Sequence, residues 1–323
     1  MIAQHREESI LLWQLEALYG RTPAHHQAKS FIELDYKKRR SGVKGEKDLE
    51  FPLSFLSDND YLILHDIRIK DKNGYFQIDT LVLSMCYFLI VEAKNWYGTV
   101  LFDGEDQVVR IGDDGKEEGL PNPVSQVNLQ RYRLQEWLSS NGIINIPIDY
   151  YVVFTSSSTI IKSISPDKPI PEAIIRNNQL LFRIQDMNEK YNTPRLTMEQ
   201  LHELSTQIIA AHTPRTVNVL EKYCMSIDEL IKGVFCPKCA AVPMDWQHGK
   251  WVCRSCHHMS KNAHVRAFHD HKLIISDTIT NREARELLGV DCPDVIRRIL
   301  LKEKYSCIGT TKNCYYKLEL HHK

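Results

Sequence analysis

The sequence predicts an α/β protein, a mixed sheet flanked by helices, followed by a helical connector and two small C-terminal modules. Three observations carry this. Residues 61–94 hold alternating and continuous apolar runs of strand length. A helix-patterned segment, NPVSQVNLQRYRLQEWLSSNG, then leads into a further apolar run, IPIDYYVVFTSSS. Beyond residue 233 come two Cys-x-x-Cys pairs and a basic tail of helical and strand-like pieces. The order of helix, strand meander, helix and strand is that of an α/β sandwich.

Taken in order, MIAQHREESILLWQLEALYG sets charge ahead of a short apolar stretch, which suits an amphipathic helix and not a signal peptide. A His/Pro break follows. The run DYKKRRSGVKGEKDLEFPLSFL leads into a helix, with Leu49, Leu53 and Leu56 near helical spacing and Pro52 suited to a first turn. YLILHDIRI alternates, DKNG is a hairpin turn, and FQIDTLVLS alternates again. MCYFLIVEAKNW is apolar until its far end, the pattern of a central buried strand. GTVLFDGEDQVVRIGDDG gives two more strand pieces. Val124, Val127, Leu134 and Leu138 mark one face of the next helix, which Asn141-Gly142 ends. Residues 160–233 read as mostly helical: one helix capped by Thr197, with Glu199 in its first turn, and a second around VNVLEKYCMSIDELIKG.

The 323 residues allow two or three domains, and no apolar run approaches a membrane span. A cytoplasmic location is expected, with the nine cysteines reduced or bound to metal and not paired in disulfides. Cys86, Cys224, Cys292, Cys307 and Cys314 are scattered and read as small buried hydrophobes. The net charge of zero hides an asymmetry. Residues 232–323 carry 16 Lys and Arg against 9 Asp and Glu, and the rest 25 against 32. A basic end module facing a polyanion is the reading this favours.

In QIDTLVLSMCYFLIVEAKNW, Asp79 lies in one strand and Glu92 and Lys94 near the end of the next. Residues two apart on a strand share a face, so Glu92 and Lys94 emerge together. A tight antiparallel connection around Ser84 lets Asp79 face the same pocket. Two carboxylates with a main-chain carbonyl can hold one or two Mg²⁺ or Mn²⁺ ions. Lys94 can orient or deprotonate a water and offset phosphate charge. A Glu-x-Lys at a strand end is, by itself, common on solvated edges. The apolar strand behind it and the Asp in the preceding strand set this one apart.

The segment from about Ser41 to Thr155 resembles the nuclease-related domain (NERD), a branch of the PD-(D/E)xK nucleases. The matching pieces are Gly42-Val43-Lys44-Gly45-Glu46 opening a helix, Gln77-Ile78-Asp79, Val91-Glu92-Ala93-Lys94-Asn95 with Gly98, and Asn122-Pro123 with Gln126. The resemblance implies a restriction-endonuclease-like mixed sheet and a site lined by Glu46, Asp79, Glu92, Lys94 and Gln126. Glu46 would complete the acidic shell, and Gln126 would hold a water or phosphate oxygen. Apart from the resemblance, Glu46 reads as a carboxylate favoured at a helix N-terminus, and Gln126 as a surface residue.

CPKCAAVPMDWQHGKWVCRSC offers Cys236, Cys239, Cys253 and Cys256 as four thiolates for a structural Zn²⁺, with Trp246 and Trp251 packed beside the metal. The intervening loop is slightly shorter than usual for a zinc ribbon. Cys253-x-x-Cys256-His257 also matches a haem-attachment pattern, which would leave the first pair unexplained. In the tail, Thr280 caps a helix containing Ala284, Leu287 and Leu288, Gly289-Val290 turns the chain, and a second helix buries Val295, Ile296, Ile299 and Leu300. A Gly/Lys/Asn turn between strand-like pieces follows. This resembles a winged helix-turn-helix, which implies nucleic-acid contact by Arg297, Arg298 and Lys302 beside Asp294, and by Lys312 and Asn313 on the wing.

The expected organisation is an N-terminal helical segment (1–40), a nuclease domain (41–160), a connector (161–233), a zinc ribbon (234–262) and a winged-helix-like module (263–323). The expected function is metal-dependent hydrolysis of DNA. A non-catalytic DNA-binding protein using the same fold as a platform, and an RNA-cleaving nuclease, are the alternatives. The partner expected is nucleic acid, with no membrane. A homo-oligomer or partner protein is left open.

Overall fold

The apolar runs of residues 61–94 form the centre of a six-stranded sheet in the computed structural model, which describes residues 1–6, 9–103, 107–143, 145–309 and 314–320. The chain divides into two units, Met1–Glu8 with Arg40–Arg215, and Ser9–Arg39 with Thr216–Lys323. Helix α2 (Lys29–Asp48) contributes its last turns to the first and the rest to the second.

In the first unit the sheet runs β1 (Ile2–Gln4), β2 (Tyr61–Asp71), β3 (Gly74–Ser84), β4 (Phe88–Lys94), β8 (Ile148–Phe154), β10 (Ile174–Arg176). β2, β3 and β4 are antiparallel neighbours, whereas β4, β8 and β10 run parallel. The C-terminal ends of these last three therefore lie along one edge of the sheet. A second sheet is ordered β7 (Glu117–Leu120), β6 (Gln107–Ile111), β5 (Thr99–Asp103), β9 (Ile160–Ser163). Helix α4 (Pro123–Ser140) starts at Asn122, whose side chain accepts from the Val124 N–H, and buries Val124, Val127, Leu134 and Leu138. Its apolar face packs with Phe88 and Ile90 of β4 and Leu81 and Leu83 of β3. The other face of the sheet is covered by Leu53 of α3 (Glu50–Leu53) and by Leu180, Ile184 and Met187 of α5 (Leu180–Lys190). Each fully buried aliphatic side chain contributes roughly 1.5–3 kcal/mol, so β4, covered on both faces, anchors the sheet. Thr197 caps α6 (Met198–Ala211) reciprocally with Gln200.

One irregularity matters for the site. The β2/β3 register is constant on both sides of Asp66 and Asp79, yet that opposed pair drops out of the ladder, and Asp66 has φ +55°. Leu62, Leu64, Ile67 and Ile69 all join the core beneath α4, as do Leu83, Leu81, Ile78 and Phe76. Side-chain alternation thus slips by one at Asp66 in β2 and at Asp79 in β3, and both carboxylates sit at the slip. A left-handed backbone at a non-glycine residue costs about 1–3 kcal/mol and concentrates at functional sites.

Two sequence expectations need correction here. Gly42–Glu46 does not open a helix: α2 is continuous to Asp48, and Glu46 sits in its last turn. No proline interrupts residues 29–48, and helix-interior glycine costs only about 1 kcal/mol. Gly45 has a tertiary cause, since a Cβ there would lie 2.6 Å from Asn95 Cβ and 2.9 Å from Thr155 Oγ1. Residues 160–233 are also less helical than their pattern suggests. They hold β9 and β10, and the second expected helix shrinks to α7 (Val219–Lys222) and a single 3₁₀ turn. Short apolar runs such as Ile174-Ile175 read equally as helix or strand until a partner strand, here β8, is present.

In the second unit, α1 (Ile10–Arg21) is capped by Ser9, and its Arg21 makes a buried ion pair with Asp270 at 2.7 Å. A three-stranded sheet of β11 (Met244–Gln247), β12 (Lys250–Cys253) and β13 (Met259–Ser260) follows. Then come α8 (His264–Ile274), β14 (Thr278–Thr280), α9 (Asn281–Leu288), α10 (Pro293–Lys302), β15 (Ser306–Ile308) and β16 (Tyr315–Lys317). The last three strands form a sheet with β16 central. Thr280 caps α9 with Glu283, and Gly289 ends it at φ +69°. No helix among the described residues is long and apolar enough to cross a membrane.

Of the scattered cysteines only Cys86 packs against a core as a small hydrophobe, half-buried; Cys224 and Cys292 are exposed, and Cys307 and Cys314 form a disulfide, which corrects the expectation that no cysteines are paired. Their Cα atoms are 6.4 Å apart, a normal bridging separation: Cys307 of β15 pairs with Tyr316 of β16, and Cys314 stands two residues before that partner, on its diagonal.

Candidate active site and candidate zinc centre

Glu92 and Lys94 are on the α4 side of β4, at its C-terminal end. Lys94 Nζ donates to Glu92 Oε1 at 2.7 Å and to Gln126 Oε1 at 3.1 Å. Gln126 Nε2 donates to the same Glu92 oxygen at 2.7 Å, and Gln130 Nε2 to Glu92 Oε2 at 3.2 Å. The buried Glu92 carboxylate is thus held by one ammonium and two amides. Gln126 and Gln130 are four apart on α4 and share a face. Sequence reading found the first and missed the second, although this spacing was the available signal.

Asp79 lies one step beyond the β3/β4 ladder, opposite Glu92, and its Oδ2 accepts from the Ala93 N–H at 3.2 Å. Part of the residue reaches solvent. Burial of the carboxyl, then the charges of Glu92 and Glu46, push it well above the usual carboxylate range, while Lys94 and the Ala93 N–H pull the other way. Four of the five expected residues are therefore in electrostatic contact, and Gln126 joins them through Glu92 and Lys94.

Glu46 is buried at the end of a helix, where the dipole disfavours a carboxylate. Arg6 of the N-terminal segment offsets this: its Nη1 lies 3.5 Å from Glu46 Oε2 and 3.0 Å from Asp66 Oδ1, and its Nη2 donates to Thr80 Oγ1 at 3.2 Å. Nη2 also lies 3.1 Å from His65 Nδ1. A guanidinium only donates, so Nδ1 accepts. Burial and the Arg6 charge hold His65 neutral, pushed down to about 3. Arg6 was not foreseen, and no local pattern marks a cation brought in from a distant strand. Ser41 and Asn95 exchange hydrogen bonds, each 2.9 Å, and tie the α2 end to the β4 end.

The oxygen donors Asp79 and Glu92 suit a hard divalent cation. The carboxylates of Asp79, Glu92 and Glu46 are not drawn into one tight ligand set, however. Among the described residues, the only set of three or more Cys, His, Asp or Glu ligand atoms within 4.8 Å of one another is Cys236, Cys239, Cys253 and Cys256.

Those thiols build a different centre. Cys236 Sγ is 3.7 Å from Cys256 Sγ, and Cys239 Sγ is 3.5 Å from Cys253 Sγ. Four sulfurs about 2.3 Å from a tetrahedral Zn²⁺ stand roughly 3.8 Å apart, so the set fits. Each pair sits on the same kind of turn. Cys236 O accepts from Ala240 N and Cys236 N donates to Ala241 O; Cys253 O accepts from His257 N and Cys253 N donates to His258 O. Ala240 and His257 take positive φ at matching places. His257 is exposed and neither it nor His258 belongs to the ligand set, which leaves the haem-attachment reading without support. Trp251 is fully buried, stacks edge-on with Trp246 at 5.0 Å, and donates from Nε1 to His264 Nδ1 at 2.9 Å.

In the tail, Ile296, Ile299 and Leu300 of α10 are buried, while Arg297, Arg298 and Lys302 are exposed. Lys302 Nζ reaches Lys261 O at 3.4 Å. Lys312 and Asn313 lie outside the described residues.

Set against known families, residues 41–155 match the nuclease-related domain, NERD. The matched stretch contains Glu46, Asp79, Glu92, Lys94 and Gln126, and defines this part of the chain as nuclease-related. Comparison with the curated proteins and with the solved structures gave no match.

Proposed function

We propose that the protein is a metal-dependent nuclease that hydrolyses phosphodiester bonds of DNA at the Asp79–Glu92–Lys94 site. The observation that carries this is the joint placement of Asp79, Glu92, Glu46 and Lys94 at the mouth of a buried strand inside the NERD-matching segment. Asp79 and Glu92 would hold Mg²⁺ or Mn²⁺. A divalent ion there supplies Lewis acidity and counters charge developing on the phosphate. The chain's own residues do the rest. Gln126 and Gln130 fix the Glu92 carboxylate, Arg6 neutralises Glu46, and Lys94 is poised to orient the attacking water and to offset phosphate charge.

Zn²⁺ at Cys236, Cys239, Cys253 and Cys256 is structural in this reading, because four thiolates leave no open position. Residues 263–323 are read as a winged helix: the order helix, strand, two helices, hairpin, with the last strand central in its sheet, supports this. Its α10 then presents Arg297, Arg298 and Lys302 to nucleic acid. The proposed working parts are thus a nuclease domain over 41–160, a zinc ribbon over 234–262 and the winged helix over 263–323.

A second reading, a non-catalytic DNA-binding platform, is favoured by one feature. The Glu92 carboxylate is already held by three donors, Lys94 and Gln126 on one oxygen and Gln130 on the other. The test is incubation of the purified protein with plasmid, linear DNA and RNA, with and without Mg²⁺ or Mn²⁺. Metal-dependent cutting that Lys94→Ala abolishes supports the nuclease. Binding without cutting under every condition sinks it in favour of the platform, and cutting of RNA alone reassigns the substrate.

A further inference from the structure

A cavity of about 630 Å³ opens in the first unit, lined by Phe51, Phe55, Thr155, Asn177, Asn178 and Phe182 among others. Its size is that of ligand pockets, roughly 300–1,000 Å³. It stands at the C-terminal ends of β8 and β10, the edge at which β4 carries Glu92 and Lys94, but on the α3 and α5 side of the sheet, so a nucleic-acid strand would pass around that edge to reach both. Phe154, one of the lining residues, is the register partner of Lys94, and the Thr155 N–H donates to Lys94 O at 3.1 Å. In open sheets, the carboxyl edge of parallel strands is where ligands collect.

The lining is unusual. Phe51, Phe55 and Phe182 are 72%, 60% and 62% exposed, and the first two meet edge-to-face at 5.2 Å. Three large aromatic faces therefore stand in solvent around one hollow, where packing gives them no reason to be. Two polar lining residues are exposed beside them, Ser157 with a hydroxyl and Asn178 with an amide. The neighbouring Asn177 is fixed by its amide nitrogen on Asp48 O at 3.0 Å. Arg176 secures the loop between β8 and β9 by donating to Ser156 O and Thr159 O.

Flat π-surfaces with an exposed amide and hydroxyl among them, at the same sheet edge as the proposed phosphodiester site, match an unstacked nucleobase. We propose that this pocket is a base-stacking subsite, and that the substrate of the adjoining site is single-stranded or frayed nucleic acid whose exposed bases are gripped by Phe51, Phe55 and Phe182. The assignment rests on the nuclease reading of the neighbouring carboxylates. Stacking is tolerant of sequence, since every base has a π-face.

The test uses the full chain and a single-stranded oligodeoxynucleotide carrying 2-aminopurine, whose fluorescence responds to stacking, without added divalent ion. Wild type should alter the fluorescence. Phe51→Ala and Phe182→Ala should each weaken binding roughly 5- to 140-fold, from about 1–3 kcal/mol per stacked base, and abolish the fluorescence change. Phe182→Trp should preserve both and Phe182→Leu neither, with duplex binding unaltered throughout. All three side chains are largely exposed, so the fold should tolerate these changes. Alanine variants that bind the single strand as wild type does overturn the inference. A Leu variant as good as Trp overturns it too, in favour of an apolar protein partner. Cleavage that depends on Lys94 but not on the phenylalanines leaves the nuclease standing and removes the subsite. Phe-dependent stacking in a protein that never cuts keeps the subsite and removes the nuclease.

Discussion

Replacing Lys94 by alanine removes the one cation bonded to Glu92 among the described residues. The two side chains are only 15% and 4% exposed, so solvent cannot substitute for the missing ammonium. Breaking a buried pair from one side costs about 3–5 kcal/mol when the remaining charge has nothing else. Here Glu92 keeps Gln126 at 2.7 Å and Gln130 at 3.2 Å. The expected loss is therefore the smaller cost of one charged hydrogen bond, about 1–3 kcal/mol. At roughly 2–4 °C per kcal/mol for a domain of this size, the melting temperature should fall by about 2–12 °C. The pH dependence has a definite sign. Lys94 is the side-chain charge that lowers the proton affinity of Asp79, so without it Asp79 holds its proton to higher pH. The deficit should be largest at neutral pH and narrow as pH falls through the raised Asp79 titration. Activity should fall much further than stability, by about 10²–10⁴-fold, if Lys94 acts on the attacking water. Plasmid nicking under single-turnover conditions with Mg²⁺, beside thermal melts over a pH series, measures both. Cutting within about threefold of wild type would refute the role given to Lys94.

Four other sets of substitutions probe the acidic site, the helix that abuts it, the zinc centre and the tail. Asp79 has a folded proton affinity raised above the unfolded one, so its contribution to stability is full at low pH and lost as pH rises through the raised value. Asp79→Asn should therefore melt higher than wild type near pH 8 while being inactive, with the gap closing below about pH 4; an equal or lower melting temperature at pH 8 contradicts the electrostatic account. Gly45→Ala gains helix propensity but drives a Cβ to 2.6 Å from Asn95 Cβ, and overpacking of this kind costs about 1–3 kcal/mol, so the melting temperature should drop. Cys236→Ser should release zinc, measured by metal analysis of the purified protein; undiminished zinc rules out the four-thiolate centre. Arg297→Ala and Arg298→Ala should weaken DNA binding and flatten its salt dependence by about 0.9 in log–log slope for each phosphate no longer neutralised, and an unchanged slope excludes α10 from the DNA interface.

Much of the candidate site was legible because its members lie on short, strongly patterned segments. Glu92 and Lys94 are two apart on an apolar strand, and period-2 geometry alone places them together. The four cysteines announced their cluster by spacing, as local turns set each pair. The tail helices were readable from their caps, Thr280 with Glu283 and then Gly289. What escaped were residues whose role depends on distant chain. Arg6 gains meaning only when β1 pairs with β2 and carries it towards Glu46. Gln130 gains it only when α4 lies over β4. The motif around Gly45 was visible, but its position at the end of a long helix was not, because glycine looks like a break until the close approach of Asn95 and Thr155 is known. Likewise, Cys314 comes to Cys307 only because β15 pairs with β16 in a register that sets Cys307 against Tyr316, two residues further on, and composition cannot supply that.

By itself, then, the sequence determined the buried central strand, the caps, the four clustered thiols and the residue types of the candidate acidic site, all of which depend on interactions within a few residues. Tertiary structure alone decided that the strand alternation slips at Asp66 and Asp79, that Arg6 stands between Asp66 and Glu46, and that three exposed phenylalanines gather at the carboxyl edge of the sheet. These depend on which strands become neighbours and how closely a helix approaches them, and residues brought together from far along the chain leave no periodic trace in it.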